Sequence, residues 1–80
     1  MPSTEQQIDI RKLPPQTKHP TIYKAFDKLD VGRAFVIIND HDPKPLSYQM
    51  ATFFGKGKFT WEYLKNGPDV WEIRIQKESI

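Results

Sequence analysis

The sequence predicts an α+β two-layer sandwich of order β-α-β-α-β-β, a mixed four-stranded sheet with two helices on one face. Segments with strand alternation flank segments whose apolar residues recur at three and four residues, and the chain ends in a hairpin pattern. Each helical stripe needs a sheet face to cover it. Right-handed crossovers between parallel strands place both helices on the same side.

The elements follow in order. In QIDIRKL (residues 7–13), Ile8 and Ile10 alternate with Asp9 and Arg11, the period of a half-buried strand. Pro14 and Pro15 cannot donate to a sheet ladder, so they are expected to end it. Pro20 is expected to open the first helix, because a first-turn proline loses no amide hydrogen bond. Ile22, Ala25, Phe26 and Leu29 then share one face, and Gly32 stops the helix. RAFVIIND (33–40) is apolar on both faces, as a central, covered strand would be. Leu46, Met50, Phe53 and Phe54 mark a second amphipathic helix, expected to start at Pro45. Phe59, Trp61 and Tyr63 alternate with Thr60 and Glu62. Beyond the turn KNGPD (65–69), Trp71, Ile73 and Ile75 alternate with Glu72, Arg74 and Gln76. The apolar side of this hairpin should face the core, with both tryptophans covered, and Glu62 should pair with Arg74 on the wet side. Residues 1–6 read as a disordered tail, 7–77 as the single domain and 78–80 as a frayed end.

Composition narrows the function. Eighty residues make one domain with a small core, which the five Phe, three Tyr and two Trp must fill. No cysteine is present, so disulfides, thiolate-bound zinc and thiol catalysis are excluded from this chain. The longest apolar run is residues 34–38, against the roughly 20 residues a membrane span needs. The N-terminus lacks the basic and apolar regions of a secretory signal, and a cytoplasmic setting is the expectation. A net charge of +2, with scattered lysines and arginines, argues against a nucleic-acid binder.

The segments LPP (13–15), INDHDPKPLSYQM (38–50) and FTWEYLKNGPDVWEIRI (59–75) resemble an uncharacterised bacterial and archaeal domain family grouped with the TusA/SirA-like fold. The resemblance covers about residues 7–77. It implies the same two-layer β-α-β-α-β-β fold. It also implies redox, iron or nitrogen-oxide biology, because similar domains occur joined to hemerythrin-like or cupin domains. TusA-like sulfur carriers place a Cys-Pro-x-Pro motif where their first helix starts. The corresponding place here is Pro14-Pro15-Gln16, so the resemblance carries the fold and leaves out sulfur transfer through a protein thiol.

The segment NDHDPKP (39–45) draws two readings. As structure, Asp42 caps the second helix, while Asn39 and Asp40 form turns at the strand end. As a site, it benefits from position, since ligands in such sheets gather beyond the carboxyl ends of parallel strands. That end should collect Pro14, Pro15 and His19 with Asn39, Asp40, His41, Asp42, Lys44 and Tyr48, as candidates for a protein partner or a small ligand. His19, His41 and Asp42 are the set that could hold a divalent metal, the single cofactor the pattern suggests. An anion at the second helix start is opposed by Asp40 and Asp42. The row Phe59, Trp61 and Tyr63 reads as core before it reads as a base-stacking platform, because the facing strand is equally apolar. Two function classes remain: a small non-enzymatic accessory domain that binds at the helix-start edge, and a metal-binding or redox-linked enzyme component using His19, His41 and an aspartate.

Overall fold

The chain enters the sheet earlier, and leaves it sooner, than the alternation predicts. The computed structural model describes residues 5–79. Strand β1 is Gln6–Asp9. The Asp9 carboxylate then accepts the Arg11 amide at 3.1 Å and turns the backbone into a single 3₁₀ turn, Ile10–Lys12. The strand expected to run through residue 13 is cut short by this side-chain competition for backbone amides. Ile10 still points into the core and is buried.

Helix α1 spans Pro15–Asp27, so Pro20 lies inside it instead of opening it. Pro15 occupies the favoured first helical position, and the Thr17 amide closes the first turn on the Pro14 carbonyl at 2.9 Å. The cost of Pro20 is confined to the exposed Gln16 carbonyl, four residues earlier, which water can solvate. Strand β2 is Ala34–Asn39. Helix α2 is Lys44–Phe54, one residue ahead of the expected start, with the Leu46 amide bonded to the Pro43 carbonyl at 2.9 Å. Strands β3, Phe59–Asn66, and β4, Trp71–Lys77, form the hairpin, with a register shift at Leu64.

The sheet order is β1-β2-β4-β3. Strand β2 is parallel to β1 and antiparallel to β4. Phe35 and Ile37 of β2, with Ile73 and Ile75 of β4, pack against Ile22 and Phe26 of α1 and Leu46 and Met50 of α2. These strand residues share one phase of the pleat, so both helices lie on one face. Trp61 and Trp71 are half-buried and packed against that core, Trp61 from the edge strand β3 and Trp71 from the start of β4.

The other face has no helix, yet Ala34 and Val36 are only 6% and 5% exposed. Arg74 sits beside Val36 in register and pairs with Glu5 at 2.7 Å, just before β1. The ion pair therefore reaches from β4 across β2. Its aliphatic stems shield the central strand while its charges stay wet. The expected Glu62–Arg74 pair is in register across the hairpin, but the guanidinium turns to Glu5 and Gln76 instead. Glu5 and Gln6 are therefore engaged, where the alternation alone reads a tail. Glu78 likewise donates its amide to the Lys58 carbonyl at 2.8 Å. The remainder of the expected tail and the last residue lie outside the described residues.

Candidate functional site

Because β1 and β2 are parallel, the segments that follow them leave the sheet at the same end. There the NDHDPKP side chains divide their work. Asn39 is 2% exposed and faces the helix side, with no hydrogen-bond partner on its Oδ1. The exposed His41 ring meets Asp40, Nδ1 to Oδ1, at 2.7 Å. That hydrogen bond holds the Asp40 carboxyl below its ordinary range, and Lys18 adds to the effect. Asp42 Oδ1 accepts the Lys44 amide at 3.1 Å and the Tyr63 hydroxyl at 2.8 Å. The N-cap residue of α2 is Pro43, which makes no side-chain cap, so Asp42, expected to cap the helix, instead satisfies its first amide from one position earlier in an Asx turn and ties the helix start to β3. Burial pushes the Tyr63 phenol up from its ordinary value.

The other candidates lie on α1 or just before it. Pro14 and Pro15 are exposed at the start of α1. His19 is on the body of α1, its ring stacked on Tyr23 with centroids 6.3 Å apart. Among the described residues no three His, Asp or Glu side chains gather as a metal would require, so His19, His41 and Asp42 do not form one set.

The helix layer carries a feature that alternation alone hides. A groove of about 510 Å³ runs between the helices, lined by Tyr23 of α1 and Tyr48, Gln49, Thr52 and Phe53 of α2. Tyr48 is 62% exposed and Phe53 68%. The helical spacing puts Phe53 on the stripe of Leu46 and Met50, but only those two are buried, and Phe53, in the last turn of α2, is exposed. The Phe53 ring is braced from below. Tyr23 lies 5.0 Å from Phe53 and 5.5 Å from Phe54, and Phe54 lies 4.6 Å from the buried Phe26. A second basin, about 290 Å³, adjoins the first across the shared Tyr23 and Phe53. The available signal was the i, i+4 pairing of His19 with Tyr23 and of Gln49 with Phe53, on the shoulder of each core stripe.

Fold and site define a small two-layer α+β domain whose helical face presents an aromatic groove. The family described as "Uncharacterized conserved protein (DUF2249)" matches residues 7–77, and the chain belongs to it. No curated protein and no solved structure gives a significant match. Among the described residues no helix is long and apolar enough to cross a membrane.

Proposed function

We propose that this domain is a non-enzymatic binding module. Its recognition surface runs from the edge carrying Pro14, Pro15, Asn39, Asp40, His41, Asp42 and Lys44 along the helices through His19 and Tyr48. The observation that carries the reading is the groove at Tyr23, Tyr48 and Phe53. Tyr48 and Phe53 are exposed side by side on the helical face, and Phe53 rests on Tyr23 and Phe54, whose contacts reach the buried Phe26, as a recognition surface requires. Rings already in place lose little freedom when a partner arrives. The cytoplasmic setting belongs to this reading, as does the redox, iron or nitrogen-oxide biology that the resemblance suggests. The fold of the sulfur carriers would then be used here without their thiol.

The test is amide-resolved NMR of the isotope-labelled chain in soluble extract of the source cells. Broadening should concentrate on residues 15–20 and 41–53. Broadening confined to the strand residues of the open sheet face, around Gln76, would place recognition on the wrong surface.

A further inference from the structure

We propose that the outer edge of β1 takes up an extended, acidic segment of a partner protein as a further strand of the sheet. This surface lies on the β1 side of α1 and is separate from the aromatic groove. Three observations carry the proposal.

The first is a free edge. In the order β1-β2-β4-β3, strand β1 pairs on one side only, with β2. Among the described residues, its outward amides and carbonyls meet no backbone partner. An edge of this kind is a template for another extended chain. The strand is short, Gln6–Asp9, so it suits a short segment.

The second is shape. Thr21, Lys24, Ala25 and Lys28 form one stripe along α1 and its cap, and they face Gln6 and Ile8 across a trough of about 320 Å³. Ile8 and Ala25 are half-buried against the core and give the trough an apolar floor. A strand laid along β1 sends every second side chain into this trough.

The third is charge. Lys24 and Lys28 are exposed at the rim, and no acid lines the trough. The acids nearest in sequence are engaged or turned elsewhere. Glu5 pairs with Arg74, Asp9 pairs with Arg11, and Asp27 lines basins on the α2 side of the helix. Among the described residues neither lysine has an ion-pair partner. Carboxylates on the trough side of an added strand complement both ammonium groups.

A second copy of the chain fits badly. Two β1 edges joined about a two-fold axis set α1 beside its mate, with Lys24 and Lys28 against the same lysines. The other free edge, β3, carries Lys65 with Glu62 and is not acidic. Joined to β1, it runs head to tail without closing. The occupant is therefore a different chain.

The experiment measures fluorescence anisotropy of a labelled octapeptide, glutamate alternating with valine, against the full chain. Binding that weakens with added salt is expected. Glutamine in place of glutamate should weaken it about tenfold or more, and so should Lys24→Gln combined with Lys28→Gln in the protein. Both lysines are exposed, and urea denaturation of the double variant checks that its fold is intact. N-methyl groups on alternate peptide amides separate strand addition from loose attraction. One methylation frame should lose binding, because it blocks the hydrogen bonds to β1. If both frames bind as well as the parent peptide, no strand is added and the proposal falls. Equal affinity for the glutamine peptide overturns the charge argument. Binding lost in Phe53→Ser but kept in the double lysine variant overturns the placement. Tighter binding of a thymidine oligonucleotide through the same two lysines replaces the peptide with nucleic acid.

Discussion

Asp42 serves two donors with one oxygen, the Lys44 amide and the Tyr63 hydroxyl. Asp42→Ala removes the acceptor of the first helical amide and leaves a half-buried phenol without this partner. It should lower stability by about 1–2 kcal/mol in urea denaturation. In a double-mutant cycle with Tyr63→Phe the two losses should be less than additive, because they share a bond. Full additivity would mean that the Tyr63 hydroxyl gains nothing from Asp42. The Glu5–Arg74 pair gives a second prediction. Hydrogen bonding to Arg74 lowers the Glu5 carboxyl from its ordinary 4.5. A carboxyl with a depressed folded value contributes stability that is present above the unfolded value and lost as pH falls through the folded one. Asp9 behaves alike, held down to about 2 by Arg11. The denaturation midpoint should therefore fall as the pH drops below about 4.5. Glu5→Gln should flatten the upper part of that fall and leave the part nearer pH 2 to Asp9. An unchanged slope in Glu5→Gln would show that the pair across β2 does not form in solution.

At the level of elements, α1 is held at both ends by groups other than the residues expected to bound it. Its C-terminus meets Lys77 of β4, whose Nζ donates to the carbonyls of Phe26 at 3.2 Å, Asp27 at 3.3 Å and Leu29 at 2.9 Å. The ammonium also lies 5.2 Å from the Phe26 ring centre. A cation at a helix C-terminus satisfies orphan carbonyls and the helix dipole together. Lys77→Met keeps much of the stem and removes the charge. It should cost about 1.5 kcal/mol or more, and amide exchange should accelerate over residues 24–29. If exchange there stays at the wild-type rate, the α1 end is held by Gly32 and the following turn instead.

For the whole molecule, two aromatic populations separate. Trp61 packs on the core from the edge strand, with its indole nitrogen buried and unpartnered. Phe53 projects from the helix layer. Trp61→Ala should cost about 3 kcal/mol, while Phe53→Ser should stay within about 0.5 kcal/mol in the same urea titration. A large loss from Phe53→Ser would make the groove wall part of the fold's support. A small loss from Trp61→Ala would mean that β3 is only loosely held against the core.

Local chemistry decided the element types and their order. Period-2 alternation marked β3 and β4, the i, i+4 lines marked both helices, and the need of two stripes for one sheet face predicted the layers. The role of Asp42 was legible because an acid before a helical stripe is a local signal, and local signals survive in one dimension. Other features depended on partners far apart in the chain. Glu5 lies sixty-nine residues from Arg74, and no pattern near Arg74 distinguishes it from the in-register Glu62. The start of α1 at Pro15 depended on leaving the Gln16 carbonyl in water, which only the packed helix decides. The groove needed α1 and α2 side by side on the sheet before Tyr23 could meet Phe53. The sequence by itself thus determined the layers and the turn at Asp42 that starts α2. The tertiary structure decided which apolar rings are core and which are surface, because burial is set by neighbours that only the folded chain brings within reach.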